Sequence, residues 1–201
     1  MEENMERINA VTFAPFCARG TFEKEETRQS LKLMKEKTGA NYVIFAPNGV
    51  QKTAFSENID YRTKRNVSDE ELTAMIAYAK QLGLKVALKP TANCEDGTWR
   101  AHINFFDEDV VCEPKWSNWF ASYRAFQEHY AGLAQQCGVD LFIAGCEMVQ
   151  TERREAEWRE VIAAIRRKYD GLVSYNTDKY QEHNVKSVSY THLTLPTILL
   201  V

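Results

Sequence analysis

The chain has 201 residues, of which 44% are hydrophobic and 26% are charged, and its formal net charge is −3. Length and composition fit one folded domain, or part of a larger one, and argue against disorder of the whole chain. The small net charge gives no long-range attraction to nucleic acid or anionic lipid, and no apolar run approaches the roughly 18 residues of a membrane span. We therefore expect neither a nucleic-acid partner nor a membrane partner.

The cysteine and histidine patterns argue against a bound metal. The five cysteines include no CxxC pair, and neither they nor the histidines show zinc-site spacing. The dinucleotide fingerprint GxGxxG and the phosphate loop are also absent. Residues 1–7 carry three glutamates and lack the apolar core of a signal peptide. We therefore expect a cytoplasmic protein with reduced thiols and no cofactor.

Strand and helix patterns alternate along the chain. Five short apolar runs predict strands at 8–14, 42–46, 84–88, 141–144 and 172–175. Between them, Thr21 is expected to cap a helix reaching about residue 37, and Ser68 with Glu71 predicts a capping box. Helical spacing predicts two more helices, at 116–136 and 154–168. A glycine precedes each of the last four strands and can cap the helix before it, at Gly39, Gly83, Gly138 and Gly171.

This alternation predicts an α/β fold with a parallel sheet and right-handed crossovers. Two topologies fit, an open doubly wound sheet or part of a (β/α)8 TIM barrel. Polar residues follow the strand ends, and a barrel would gather them into one ring. They are Asn48, Lys89, Glu147, Asn176 and Asp178. We favour a truncated barrel of about four and a half units, because eight units need about 250 residues.

The end of the chain differs from the rest. Residues 187–197 read SVSYTHLTLPT, which resembles the in-frame translation of a transposase-based sequencing adapter. The alternative is a genuine strand, since the segment is rich in β-branched residues. We expect a partial barrel domain at 1–186 and a non-native tail at 187–201.

Glu147 is the strongest catalytic candidate. It directly follows a buried apolar strand, and a carboxyl group at the rim of an apolar interior is favoured in its protonated form, as a general acid requires. The small residues Ala144 and Gly145 before it would let a ligand approach closely. The alternative is a structural rim glutamate paired with Arg153 or Arg154.

Five stretches resemble the N-terminal part of family 113 glycoside hydrolases, which are retaining (β/α)8 barrels known chiefly as β-1,4-mannanases. They are VTFAPF at 11–16, VIFAPN at 43–48, VALKPT at 86–91, GTWR at 97–100 and FIAGCE at 142–147. The resemblance implies a retaining double displacement on β-1,4-mannan or a related β-glycoside, with Glu147 as general acid/base. It places the nucleophile after the seventh strand of the barrel, beyond the five barrel strands predicted in this chain, so we expect the chain itself to be inactive. Cys146 departs from the pattern, because much of this clan has asparagine there to contact the sugar 2-hydroxyl.

The expected partner is an oligosaccharide or polysaccharide. Trp99 could stack on a pyranose ring, or simply pack its loop, and Arg100 could bind sugar hydroxyls. Asn48, Lys89, Asn176 and Asp178 are further candidates for substrate binding. Exposed edges of a truncated barrel would also favour self-association.

Two other functions fit a barrel with these strand ends. A different carbohydrate enzyme, an isomerase or an aldolase, is one alternative, with Lys89 the only apt Schiff-base lysine. A non-catalytic carbohydrate-binding fragment that depends on Trp99 is the other.

Overall fold

The computed structural model describes residues 7–178, which form seven strands and four α-helices. The strands are β1 (Ala10–Thr12), β2 (Tyr42–Phe45), β3 (Asn48–Gln51), β4 (Lys85–Leu88), β5 (Thr91–Cys94), β6 (Leu141–Cys146) and β7 (Leu172–Asn176). The helices are α1 (Glu25–Thr38), α2 (Asp69–Gln81), α3 (Trp116–Cys137) and α4 (Glu155–Arg166). Two short 3₁₀ helices, Arg100–His102 and Val149–Thr151, lie in the loops after β5 and β6.

Five strands form a parallel sheet in the order β1-β2-β4-β6-β7. Each neighbouring pair is connected through a helix, as parallel strands require. The predicted α/β fold with a parallel sheet is therefore confirmed. The ladder between β6 and β7 is irregular between Ile143 and Cys146, just before Glu147.

Both faces of this sheet are covered by apolar side chains. Alternate residues such as Phe45, Val86 and Phe142 belong to the large core shared with the helices. The residues between them, Ala87, Leu141 and Ile143, form a second, smaller cluster on the opposite face. This two-sided burial explains why the strands are continuous apolar runs in the sequence.

A second parallel pair, β3 and β5, continues the sheet beyond two prolines. Pro47 lies between β2 and β3, and Pro90 lies between β4 and β5; neither has an amide hydrogen to donate to a neighbouring strand. The ladder continues past the breaks, because Lys89 N donates to Phe45 O and Thr91 N donates to Pro47 O, at 2.8 and 3.0 Å. This pair was not predicted from the sequence. It places Asn48 and Asn93 beyond the carboxyl ends of β2 and β4.

The helix starts follow the predictions unevenly. Ser68 and Glu71 form the capping box of α2, as predicted. The predicted cap of α1 by Thr21 is wrong, because that helix starts at Glu25 after Lys24, whose side chain makes no cap hydrogen bond. Thr21 instead lies in the preceding turn, where its carbonyl accepts from Thr27 Oγ1 at 2.6 Å.

The glycines that precede the strands also divide into two kinds. Gly39 and Gly138 have φ values of 63° and 59° and cap α1 and α3, as predicted. Gly171 has no positive φ, so it is not a left-handed cap. A side chain there would collide with the Tyr169 ring, so close packing explains this glycine.

Aromatic residues of α3 fill the core beneath the sheet, as the helical spacing predicts. Trp119, Tyr123 and Phe126 are all fully buried, and the Trp119 and Tyr123 rings stack 4.9 Å apart. Trp158 of α4 packs edge-on against Tyr123 and joins the two helices. Among residues 7–178, no helix is both long enough and apolar enough to cross a bilayer.

Candidate active site

The end of β6 delivers Glu147 in an uncommon backbone conformation. All six residues of β6 are buried, and Glu147 follows with φ of +52°. A left-handed conformation costs an ordinary residue about 1–2 kcal/mol, so the surrounding contacts must hold it. Glu147 N donates to Asn176 O at 2.8 Å, and Met148 N donates to Tyr175 Oη at 3.0 Å. Both peptide groups beside the Glu147 α-carbon are therefore held by the end of β7.

The small residue before this turn serves packing, not ligand approach. A Cβ built on Gly145 would lie 2.7 Å from the Tyr175 ring, 2.9 Å from Trp158 and 3.0 Å from the Tyr123 hydroxyl. These rings fill the space behind the strand end. The expectation that Gly145 leaves room for a ligand is therefore wrong, because aromatic side chains already occupy that room.

The Glu147 carboxylate lies between an arginine and a tryptophan from the loop after β5. Arg100 Nη2 lies 2.8 Å from Glu147 Oε2, and Trp99 Nε1 lies 3.4 Å from the same oxygen. The side chains of Arg100 and Glu147 are 13% and 29% exposed, so the ion pair is partly shielded while the carboxylate keeps access to solvent. This is a suitable position for a group that exchanges a proton with a bound molecule.

The alternative partners proposed for Glu147 are engaged elsewhere. Arg153 binds Asp107 and Asn104, at 2.9 and 2.7 Å. Arg154 Nε donates to Glu157 at 2.8 Å. The alternative, a structural pair of Glu147 with either arginine, is therefore wrong, since the loop after β5 brings Arg100 to Glu147 instead.

Arg100 is fixed by the protein on every side of its guanidinium group. Nε donates to the Cys146 carbonyl at 2.9 Å, and Nη1 donates to Asn93 Oδ1 at 2.8 Å. Nη2, besides contacting Glu147, lies 3.6 Å from Cys146 Sγ. Arg100 was predicted to bind sugar hydroxyls, but most of its N–H groups already contact Glu147, Cys146 and Asn93.

Asn48 is connected to Glu147 through this arginine. Asn93 Nδ2 donates to Asn48 Oδ1 at 2.8 Å, and the backbone N–H of Asn48 donates to Asn66 Oδ1 at 2.7 Å. Asn48 itself is only 8% exposed. One chain of hydrogen bonds thus joins the start of β3, Asn93 of β5 and the end of β6. The sequence patterns did not point to Asn93.

Phe16 is a second missed residue at this site. It is 41% exposed, its ring centroid lies 5.9 Å from Arg100 Cζ, and its φ is +59°. Ala14, two residues earlier, also has a positive φ, of 41°. Backbone strain of this kind concentrates at functional sites. Together with Trp99, which is 44% exposed, Phe16 presents an accessible aromatic ring beside the Arg100–Glu147 pair.

Most of the chain matches one known protein family. The model of Glycoside Hydrolase Family 113 matches residues 11–193. The chain belongs to this family. A comparison with curated proteins finds no match.

Three solved structures of family 113 mannanases are similar to this chain. One β-1,4-mannanase is 53% identical with a TM-score of 0.90, and the match covers 92% of this chain and 60% of that one. A second, a complex structure, is 54% identical with a TM-score of 0.89, and covers 90% and 59%. The third, AaManA from Alicyclobacillus acidocaldarius in complex with ManMIm, is 39% identical with a TM-score of 0.88, and covers 94% and 60%. The family 113 chain described here therefore spans about 60% of the length of these relatives.

The remaining predicted substrate residues of this family 113 chain have different surroundings. Lys89 is half-buried, and among the described residues its Nζ has no hydrogen-bond partner. Asn176 holds the Glu147 turn through its carbonyl, while its side-chain amide donates to Thr177 O at 3.3 Å. Asp178 lies close enough to Glu152 to influence that carboxyl electrostatically.

Glu152 is an unexpected buried carboxyl behind the Glu147 turn. It is 6% exposed, and its Oε1 accepts a hydrogen bond from Tyr175 Oη at 2.7 Å. Burial raises the pKa of Glu152, the hydrogen bond from Tyr175 opposes that shift, and the negative charge of Asp178 adds to it. Its other oxygen, Oε2, has no hydrogen-bond partner among the described residues.

A metal-binding cluster was not expected from the sequence. Within residues 7–178, no three histidine, cysteine, aspartate or glutamate side chains come together in a way that could hold a metal ion.

Proposed function

We propose that the complete protein is a glycoside hydrolase that cleaves β-1,4-mannan or a related β-glycoside with retention, and that Glu147 is its general acid/base. The observation that carries this proposal is the partly exposed Glu147 carboxylate held by Arg100 and Trp99 at the carboxyl ends of the strands. Family membership supports it, as do the matched structures, of which two are described as β-1,4-mannanases and one as a β-mannanase.

We propose that Glu147 acts in both halves of a double displacement. In the first half, protonated Glu147 gives its proton to the leaving glycosidic oxygen, while a second carboxylate attacks the anomeric carbon. The Arg100 guanidinium, 2.8 Å from Oε2, then stabilises the carboxylate that remains. In the second half, this carboxylate takes a proton from the water that releases the sugar.

Exposed aromatic rings beside the carboxylate support a sugar as the substrate. A pyranose ring presents an apolar face of C–H groups, which packs well on an accessible aromatic side chain. Trp99 and Phe16 offer such surfaces next to Arg100. We propose that these two rings bind the substrate, with Asn48 and Lys89 deeper in the cleft and Asn176 and Asp178 at its β7 side.

We further propose that the sheet belongs to a (β/α)8 barrel whose nucleophile follows a later strand, so that the 201-residue chain alone is inactive. Loss of one member of a catalytic pair usually costs several orders of magnitude in rate. The assignment of 1–186 as natural barrel sequence and 187–201 as an adapter-derived tail stays a prediction, and its boundary lies outside the described residues 7–178. The cytoplasmic location also stays a prediction.

Fragment complementation tests this function. The chain is incubated with the remaining C-terminal part of the 53%-identical mannanase, complex formation is checked by gel filtration, and an aryl β-mannoside is the substrate. We expect turnover from the complex, none from the chain alone, and loss of at least about 10³-fold for Glu147→Gln in the complex. A complex that forms and keeps its activity with Glu147→Gln would show that the acid/base assignment is wrong.

The same variants separate an enzyme from a non-catalytic carbohydrate-binding fragment. For an enzyme, Glu147→Gln leaves binding of mannohexaose nearly unchanged and removes hydrolysis, while Trp99→Ala weakens binding. Tyr78→Ala is a matched control. The Tyr78 ring also lies beside an arginine, with Arg28 Cζ 5.5 Å from its centroid, but Tyr78 belongs to helix α2 and not to the strand-end loops around Glu147. Sugar binding without hydrolysis in the assembled complex would favour the binding-fragment alternative.

A further inference from the structure

The hydroxyl group of Tyr175 connects the Glu147 turn to a buried carboxyl. It accepts a hydrogen bond from Met148 N at 3.0 Å and donates one to Glu152 Oε1 at 2.7 Å. A phenol has a single proton, so donation to Glu152 leaves its oxygen free to accept from Met148. The Glu152 carboxyl therefore sets the direction of the hydroxyl that holds the turn.

The Tyr175 ring is fixed as well as its hydroxyl. It packs edge-on against Trp158, with centroids 5.4 Å apart, and lies against Gly145 so closely that no Cβ would fit there. The ring cannot tilt away from β6 without displacing buried aromatic side chains. The position of Tyr175 Oη is thus determined by packing, and its hydrogen-bond direction by Glu152.

The burial of Glu152 lowers the stability of the fold, and its hydrogen bond to Tyr175 accounts for its presence there. It is 6% exposed, and Oε2 has no hydrogen-bond partner among the described residues. A buried carboxyl with an unused oxygen is unfavourable for folding. A residue of this kind is best explained by what its bonded oxygen does, and that oxygen contacts only the hydroxyl of Tyr175 among the described hydrogen bonds.

We propose that Tyr175, oriented by Glu152, is a positioning residue for Glu147. It holds the Glu147–Met148 peptide in the left-handed turn that directs the carboxylate at Arg100 and Trp99. The catalytic consequence rests on the proposed function, whereas the geometric consequence does not. Asn176 O holds the peptide on the other side of Glu147, so loss of the Tyr175 hydroxyl releases one of two supports.

The test compares Tyr175→Phe with Tyr123→Phe in the 201-residue chain. The Tyr123 hydroxyl donates to Ala144 O at 2.8 Å and lies against Gly145, so its removal is a matched loss of a phenol hydroxyl at the same strand end. Three NMR signals report the turn: the Met148 amide, the Trp99 indole N–H and the Arg100 Nε–H. We expect Tyr175→Phe to speed Met148 amide exchange at least about tenfold and to shift the Trp99 and Arg100 signals, and Tyr123→Phe to do neither.

Substitutions at Glu152 provide an independent arm, which also decides the matter if Tyr175→Phe fails to fold. Glu152→Gln keeps an oxygen that accepts from Tyr175, so the three signals should stay near those of the wild type. Glu152→Leu removes the acceptor, and the signals should move as they do in Tyr175→Phe. Equal effects of Gln and Leu, or equal effects of Tyr175→Phe and Tyr123→Phe, would overturn the inference.

The complemented enzyme separates this inference from the proposed function. Tyr175→Phe should lower kcat at least about tenfold with little change in KM, because the carboxylate is misdirected while the sugar-binding rings remain. NMR changes in a complex that never hydrolyses the mannoside would refute the proposed function and leave the positioning role intact. Unchanged NMR signals in an active complex would refute the positioning role of Tyr175 and leave the proposed function intact.

Discussion

Gly145→Ala tests the packing behind the candidate acid/base. The added Cβ would lie 2.7, 2.9 and 3.0 Å from Tyr175, Trp158 and Tyr123, where ordinary carbon contacts are about 3.5–4.0 Å. The Tyr175 ring, the Trp158 ring and the Tyr123 hydroxyl would therefore each have to move by about 0.5–0.8 Å to reach even the lower limit of about 3.5 Å. Overpacking of this kind costs about 1–3 kcal/mol, offset by the roughly 0.5–1 kcal/mol that alanine gains over glycine through the unfolded chain. We expect a net loss of up to about 2.5 kcal/mol in the free energy of unfolding.

The assay is urea unfolding of the chain, followed by circular dichroism and tryptophan fluorescence. Gly132→Ala in α3 is the matched control, because a Cβ there meets no atom within 4 Å and alanine favours a helix by about 1 kcal/mol. The two alanine variants should therefore differ by about 1–3.5 kcal/mol. If Gly145→Ala is as stable as Gly132→Ala, the aromatic wall behind β6 is not packed as described.

Four further predictions concern other parts of the chain. Burial raises the pKa of Glu152, so ionisation of this group lowers stability as the pH rises from the ordinary glutamate pKa through the raised one. The Tm of Glu152→Gln should therefore gain on that of the wild type as the pH is raised above the ordinary glutamate range, and a constant difference would contradict the shift. Arg100→Lys should lose about 1–3 kcal/mol in urea unfolding, because lysine cannot replace the fork of hydrogen bonds to Asn93 and the β6 end; wild-type stability would argue against that network. Ser68→Ala should lose about 1 kcal/mol with its cap hydrogen bond, and an unchanged Tm would contradict the capping role. Self-association through the outer strand β7 should weaken in Leu172→Lys, since Leu172 is 50% exposed, and light scattering that finds the wild-type chain monomeric would refute it.

The local features of this fold could be predicted from the sequence. Apolar runs located the five strands of the main sheet, and the Ser68 capping box located the start of α2. Helical spacing of aromatic residues predicted the buried face of α3. These features depend on contacts within a few residues or on simple burial. They leave either an apolar run or a helical periodicity in the chain.

The pair β3 and β5 left no such pattern. Their sequences, NGVQ and TANC, are short and partly polar, and each follows a proline that ends the preceding strand. They are strands because they pair with each other across more than 40 residues of chain, from Asn48 to Thr91. The start of α1 was misplaced for a related reason, since Thr21 is used by a turn and not by the helix.

The sequence by itself determined that a carboxyl group follows a buried strand. The reason is that the apolar run typical of a buried strand and the residue that comes directly after it can both be read along the chain. Only the tertiary structure decided that Arg100, 47 residues away, is the partner of Glu147, and that Arg153 and Arg154 are not. The reason is that a charged side chain pairs with whatever the loops bring within hydrogen-bond distance, and nearness in sequence does not fix the path of a loop. The same holds for Tyr175 and Glu152, whose contact behind the Glu147 turn exists only because β7 lies beside β6.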